Sequence, residues 1–495
     1  MTGAGHLLGV DIGTSSSKGV IAAADGTVLA TAVQPHTVSR PKPGWVEHDP
    51  EQIWWGEFVS LTRQLRERVP GPIAAVGVSG IGPCLLPATA DGRPLRPAIL
   101  YGVDTRASAE IVELTERYGA EAIVARGGSR LTSQAVGPKL LWLRRNEPQV
   151  WQETRRFFMA SSLIVHRLTG EYILDHHSAS QCDPLYDLSH GDWARDLAED
   201  IAPGLELPRL HWPTEVVGRV TAEAAEATGI PAGTPVTAGT IDAWAEAVSV
   251  GATRPGDLML MYGTTMFLIQ VVDRPTSHPG LWGTTGALPG SYCLAAGMAT
   301  SGAVVEWLRD LTGRPDYAIL EQEAAKIPAG SDGLVVLPYF AGERTPLFDD
   351  QARGVVAGLT LHHGRGHLYR AVLEAIAYGV RHNLEAMAEA APPPRRVVAV
   401  GGGARSLWPQ IVSDVTGWTQ HMPAETIGAS YGDAFLAAVS TGLANPHDDW
   451  TRLVDDVVPD PDATAAYAPY YQLYRDLYLN TRQEVHTLTR LATGS

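Results

Sequence analysis

The stretch Asp11-Ile12-Gly13-Thr14-Ser15-Ser16-Ser17-Lys18 gathers a carboxylate, a glycine, four hydroxyl side chains and a lysine within one short turn. Gly13 lets the backbone turn sharply, and Thr14 to Ser17 offer N–H and hydroxyl donors suited to phosphate oxygens. Lys18 adds a positive charge, and Asp11 could hold a hydrated Mg²⁺ through water. The plainer alternative is a polar hairpin with a solvated lysine.

Asp242 lies in Ala238-Gly239-Thr240-Ile241-Asp242-Ala243-Trp244, after a strand and before an apolar helix start. A carboxylate there could accept the proton of a hydroxyl that attacks a phosphoryl group, or it could simply cap the helix. Gly401-Gly402-Gly403-Ala404-Arg405-Ser406 follows a β-branched strand and precedes a helix, so a ligand backbone or flat ring could approach closely. Gly263-Thr264-Thr265 is a smaller turn of the same kind. The adjacent pairs His176-His177 and His362-His363 read as surface or loop residues, because neighbouring side chains point to different sides. There is no H-E-x-x-H, which leaves a zinc protease unsupported. The pair Trp54-Trp55 reads as packing.

The elements that must position these groups follow from periodicity. Residues 6–11 and 19–23 read as strands on either side of the Asp11–Lys18 turn, and Asp25-Gly26 as a hairpin into 27–33. Two antiparallel strands flank the turn, which separates it from a P-loop or dinucleotide fingerprint, where a helix follows the strand. Residues 257–262 and 266–272 repeat the pattern around Gly263-Thr264-Thr265, which suggests a duplicated fold. A strand is expected over 74–79 and helices over 107–118, 140–145, 161–168, 221–228, 366–390 and 431–441.

The chain has 495 residues, 38 Lys plus Arg against 54 Asp plus Glu, and a formal charge of −16. That length favours two domains, since single cores stop growing near ~250–300 residues. The acidic balance argues against nucleic acid as a partner, which demands clustered Lys and Arg. The 51 Gly and 35 Pro fall short of the roughly one quarter that marks low complexity. Cys84, Cys182 and Cys293 are far apart and form no C-x-x-C, so a reduced, cytoplasmic setting is expected. Neither a signal segment nor an apolar run of membrane-spanning length is read, so no membrane partner is expected.

In order along the chain, these segments resemble the FGGY carbohydrate kinases. Asp11 to Lys18 is similar to the family's first phosphate loop, and 43–55 (PGWVEHDPEQIWW) to its PGW-x-E-x-D-P segment. Lys139 to Leu143 sits where the first signature has K-x-x-W, with Val136 in a place usually small or proline. The second signature is matched by Gly354, Val356, Gly358 and Leu359, then His367-Leu368 and Ala371 to Glu374, preceded by Gly342-Glu343-Arg344-Thr345-Pro346.

The resemblance implies an α/β fold of two actin-like, ribonuclease-H-like domains around a nucleotide and sugar cleft. The division implied is 1–248 for the sugar side, first phosphate loop and catalytic aspartate, and 249–495 for the ATP side. It implies phosphorylation of a small sugar, a ketose such as a pentulose, or of a polyol, with ATP and Mg²⁺. Asp242 resembles the catalytic base and Asp11 the metal-associated carboxylate. Thr14, Ser15, Lys18, Gly263 and Thr264 resemble phosphate contacts, and Gly302, Glu306, Gly402, Gly403 and Ser406 would surround the nucleotide.

On the substrate side, xylulose kinases of the family carry a Gln-Met-His-Gly type segment where this chain reads Gly80-Ile81-Gly82-Pro83-Cys84. The family's W-x-D-x-R becomes Tyr101-Gly102-Val103-Asp104-Thr105-Arg106, and Ala243 stands where Asn or Gln commonly follows the catalytic aspartate. Ile81, Gly82, Pro83, Tyr101, Asp104 and Arg106 are therefore the expected substrate neighbours, for a substrate other than D-xylulose. Two alternatives share the fold: a nucleotide-dependent switch of the actin or chaperone ATPase type, and a catalytically idle sugar sensor. A homodimer is compatible with any of these.

Overall fold

A computed structural model describes residues 5–404 and 407–493. In chain order, the elements around the site begin with β1 (His6–Ile12), β2 (Ser16–Ala22), β3 (Val28–Pro35), α1 (Glu57–Arg68) and β4 (Ile73–Gly80). Next come α2 (Ala160–Thr169), β5 (Val216–Arg219), β6 (Pro235–Thr237), β7 (Thr240–Ile241) and α3 (Asp242–Ser249). The later part adds β8 (Asp257–Tyr262), β9 (Met266–Val272), α4 (Gly302–Leu311), α5 (Arg365–Ala390) and β10 (Arg396–Val400). It ends with α6 (Leu407–Thr416), β11 (Gln420–Pro423), α7 (Ala429–Ser440) and β12 (Leu453–Val457).

The chain forms two compact units. The first takes the chain through Pro255 and adds Val271–Cys293 and Ile427–Thr451. The second takes Gly256–Gln270, Leu294–Thr426 and the chain from Arg452 onward.

In the first unit the strand order is β5–β6–β4–β1–β2–β3, with β7 also on β4. Pairs β1/β4, β4/β6 and β4/β7 are parallel, while β1/β2, β2/β3 and β5/β6 are antiparallel. β1 reads HLLGVDI and is buried almost throughout, as a strand covered on both faces must be. One cover is α1, which presents Phe58, Leu61, Thr62 and Leu65 as one helical stripe. The other is α7, which approaches so closely that a Cβ on Gly9 would stand 1.9 Å from the Ser430 carbonyl oxygen. A Cβ on Gly77 would likewise stand 2.1 Å from that of Asp433. Only glycine permits this backbone-on-backbone packing.

In the second unit β9–β8–β10–β11–β12 are neighbours, paired antiparallel, parallel, parallel and antiparallel. That is the succession of β2–β1–β4–β6–β5 in the first unit. The repeated strand–turn–strand pattern is thus a duplicated sheet, and the expected two-domain α/β fold is what the chain has. α5 runs to Ala390, just ahead of Pro392-Pro393-Pro394, which cannot continue a helix. The three cysteines are buried and unbridged. No helix among the described residues is long and apolar enough to cross a membrane.

Candidate active site

Strand register sets the first group of side chains. Across the sheet Asp11 pairs with Lys18 on β2 and with Ser79 on β4, and Ser79 pairs with Thr240 on β7. Partners in register share a face, so Lys18, Asp11, Ser79 and Thr240 form one row near the strand ends. Asp242, two residues beyond Thr240, opens α3 and accepts the Ala243 N–H at 2.7 Å on Oδ1. In open α/β sheets the carboxyl ends of the strands are where ligands bind.

The turn is closed by Gly13 N–H donating to the Ser16 carbonyl at 3.1 Å, and its tip leaves Ser15 exposed and Thr14 half-buried. Ser17 differs from the expected phosphate donor. It is fully buried, and its hydroxyl donates to Glu57 at 2.6 Å. His36 braces the same turn, its ring bridging Glu57 Oε2 at 2.9 Å and the Gly13 carbonyl at 3.2 Å.

Electrostatics single out the carboxylates of this unit. Removal from water, with Asp11 and Glu246 as further negative charge, pushes Asp242 well above the usual range, against the Ala243 N–H and Lys18. Asp11 is raised to about 6 by burial, opposed by Lys18 and the Ser79 hydroxyl. Glu246 is raised to about 7 by burial, with Lys18 opposing and Asp11 adding to the rise. Asp433 on α7 is pushed well above the usual range by burial and by Asp11. Ser79 Oγ lies 2.7 Å from Asp433 Oδ2 and 3.2 Å from Asp11 Oδ1. The sequence reading missed Glu246, Asp433 and Ser79. The first lies one helical turn after Asp242, and the second is a lone carboxylate in an apolar helix, so both left a signal.

On the expected substrate side, Ile81 N–H donates to the Ile12 carbonyl at 2.7 Å, and a Cβ on Gly82 would meet Ile241 at 2.7 Å. Pro83 follows, buried beside the fully buried Cys84. Burial pushes the Cys84 thiol up to about 12, Lys139 opposing and the Asp242 and Asp104 charges adding to it. Arg106 holds Asp104 with Nε at 2.9 Å and Nη2 at 2.7 Å, and also reaches Glu47 at 2.9 Å. Asp104 accepts the Val46 N–H at 2.7 Å, and the guanidinium lies 4.0 Å over the Trp45 ring. This knot is buried, yet Arg106 Nη1 has no partner among the described residues. Lys139 Nζ donates to the Ser133 and Gln134 carbonyls at 2.7 and 3.1 Å, and burial lowers it to about 8. Tyr101 is half-buried against the hydrophobic core of the first unit.

In the second unit the Gly263-Thr264 turn is locked to the start of α4. Gly302 N–H donates to the Gly263 carbonyl at 3.1 Å, and Ser301 and Ala303 N–H to the Thr264 carbonyl, each at 3.1 Å. A Cβ on Gly302 would stand 2.6 Å from the Gly263 oxygen. The first N–H groups of α4 are thus spent on the hairpin. β10 runs parallel to β8, so the Gly401–Gly403 turn follows alongside, with open space beside Gly402 and Trp408 2.8 Å from a Cβ on Gly403. Ser406 lies outside the described residues. Glu306 lies further along α4, its carboxylate engaged by Arg309 at 3.3 Å, Arg314 at 3.2 Å and the Tyr317 hydroxyl.

One histidine expectation needs correction. His177 is not at the surface: it is fully buried, stacked 3.8 Å from the Trp244 ring with Nδ1 on the Thr285 carbonyl at 2.9 Å, and burial holds it down at about 3. His362 is exposed, but with His367 and Asp332 it offers ligand atoms within 4.8 Å of one another. His367 Nδ1 accepts the Gly364 N–H at 3.1 Å, so its Nε2 carries the proton and faces Asp332 at 3.2 Å. The ring is occupied as a helix cap, not free as a metal ligand.

The family model for the FGGY carbohydrate kinases matches this chain twice, the N-terminal domain over residues 6–249 and the C-terminal domain over 258–441. The chain belongs to the FGGY family of carbohydrate kinases. It is a sugar kinase, and its relatives cover it nearly end to end. It is 32% identical to the xylulose kinase of Escherichia coli (strain K12) over 491 residues, 95% of this chain and 98% of the relative. A glycerol kinase of Citrifermentans bemidjiense is 33% identical over 458 residues, 88% of this chain and 90% of that one. The crystal structure of xylulose kinase from Rhodospirillum rubrum superposes with a TM-score of 0.91 at 35% identity, covering 97% of this kinase and 100% of that chain.

Proposed function

We propose that this kinase transfers the γ-phosphoryl group of ATP to a hydroxyl of a small sugar, a ketose such as a pentulose, or of a polyol, with Asp242 as the base. The observation that carries this reading is the Asp242 carboxylate, fixed by the Ala243 N–H at 2.7 Å and crowded by the Asp11 and Glu246 charges. Crowding and burial raise its proton affinity, which makes it a stronger proton acceptor as the substrate oxygen attacks. The hydroxyl proton passes to Asp242, the oxygen forms a bond to the γ-phosphorus, and the bond from phosphorus to the β,γ-bridging oxygen breaks to release ADP.

Thr14, Ser15 and Lys18 are the phosphate contacts of the first unit in this reading. Gly263, Thr264, Gly302, Gly402, Gly403 and Ser406 are the nucleotide neighbours of the second. Glu306 would join them only by giving up Arg309 and Arg314.

Mg²⁺ suits the donor set. Asp11, Asp242, Glu246 and Asp433 crowd one region, Asp433 Oδ1 has no partner among the described residues, and all are hard oxygen donors. Asp11 is the residue that would hold the ion, through water. A divalent ion held there would supply positive charge to offset the negative charge of the transferring phosphoryl group.

Ile81, Gly82, Pro83, Tyr101, Asp104 and Arg106 are the acceptor neighbours in this reading, with Arg106 Nη1 as an unspent donor. The segment Gly80-Ile81-Gly82-Pro83-Cys84 replaces the Gln-Met-His-Gly type segment of xylulose kinases, and Ala243 stands where Asn or Gln is common in the family, which favours an acceptor other than D-xylulose. The test is ADP release from ATP measured over D-xylulose, other ketoses, aldoses, polyols and sugar acids. Release that depends on one acceptor class is the expected result. Release independent of any acceptor would sink the kinase reading, and a preference for D-xylulose would sink the substrate part alone.

A further inference from the structure

Asp433 has no apparent business in α7. The helix around it is ASYGDAFLAAVS, buried along almost its whole length, and an apolar residue would pack there without desolvating a carboxylate. Its side chain is about 1% exposed, with one oxygen on Ser79 at 2.7 Å and the other without a partner among the described residues. A buried acceptor left unmatched is costly, and such costs in natural chains tend to mark function.

The partner explains its place. Ser79 Oγ stands between two carboxylates, 2.7 Å from Asp433 Oδ2 and 3.2 Å from Asp11 Oδ1. A serine hydroxyl carries one proton and can donate it fully to only one of them. The shorter contact goes to Asp433, which leaves the Ser79 hydroxyl beside Asp11 at 3.2 Å while Asp11 keeps oxygen lone pairs free for other donors, such as the waters of a hydrated cation. We propose that Asp433 is a positioning residue: by holding the Ser79 hydroxyl it sets the orientation and free acceptor capacity of Asp11 toward the hydrated divalent metal. This rests on the reading of Asp11 given above. Three parts of the chain meet here, β1, β4 and α7, and α7 reaches them only because Gly9 and Gly77 admit its backbone.

The test uses the full-length protein with ADP and Mn²⁺ as probe, following free Mn²⁺ by electron paramagnetic resonance beside steady-state rates. Asp433→Ala should weaken Mn²⁺ binding about tenfold and raise the Mg²⁺ needed for half-maximal rate by a similar factor, the range of outer-shell losses. Asp433→Asn keeps an oxygen for the Ser79 proton and should stay within about threefold of the parent. Unchanged Mn²⁺ affinity in Asp433→Ala, or an Asn variant as weak as the Ala one, would overturn the proposal. If Asp433→Ala does not fold, Ser79→Ala serves instead and must show the same loss. An Asp11→Asn variant with unchanged Mn²⁺ affinity would mark the reading of Asp11 as the failure, and the role of Asp433 would fall with it.

Discussion

The hairpins after β1 and β8 stand on sheets with the same strand succession, yet they are furnished differently. The first joins strands that carry Asp11 and Lys18 in register, with Ser79 on the next strand and Asp242, Glu246 and Asp433 acting on the same field. The second is glycine and threonine, and its carbonyls take the first N–H groups of α4. The charged side chain nearest in sequence on that helix, Glu306, is tied to arginines. One scaffold has therefore been used twice, once to concentrate charge and once to shape backbone. Proton transfer needs an ionisable group held at a set proton affinity, whereas a nucleotide can be held by close backbone approach.

The sharpest way to break this comparison is Asp242→Asn. Turnover should fall on the order of 10³-fold while ADP binding, measured calorimetrically, stays unchanged. Loss of ADP binding in parallel would erase the division of labour between the two hairpins. Next in size is Gly302→Val, whose Cβ would sit 2.6 Å from the Gly263 oxygen and force the second hairpin to move. The KM for ATP should rise roughly tenfold with the acceptor KM little changed, since displacements of ~1 Å are enough for such losses. An equal rise in both KM values would show that the second hairpin serves acceptor and nucleotide alike.

A smaller effect concerns stability. Glu246 has a folded value of about 7 against an ordinary 4.5, so the folded chain binds its proton more tightly than the unfolded chain. That group lends stability below the ordinary value and loses it as pH rises through about 7. Glu246→Gln should therefore melt higher than the parent at pH 8, by ~1–2 °C for an effect of the order of 1 kcal/mol, and the gap should shrink at pH 5. A gap that is the same at both pH values would remove Glu246 from the charged cluster. The smallest effect is expected for Glu306→Gln, because its ion pairs are half-exposed and screened. An ATP KM within about twofold of the parent fits that, whereas a larger rise would add Glu306 to the nucleotide contacts.

Much of the candidate site was legible along the chain because its parts are local. A turn rich in glycine and hydroxyls between two strands, an aspartate at a strand-to-helix junction and a triple glycine after a strand are each written within a few residues. Ser17 shows the limit: its hydroxyl matches its neighbours in type, but alternation along β2 turns it inward to Glu57. His177 shows the same limit, since a paired histidine reads as surface until Trp244 and the Thr285 carbonyl are brought over it.

The sequence by itself determined the duplicated strand–turn–strand pattern, the placement of Asp11, Lys18 and Asp242, and the kinase family. Local spacing and ordered motifs are enough for that. Only the tertiary structure decided which carboxylates act together. Asp433 is separated from Asp11 by most of the chain, and it reaches Ser79 because α7 packs backbone to backbone on β1 and β4. Burial and mutual repulsion then set the proton affinity of the cluster, and both depend on distances that no linear spacing contains.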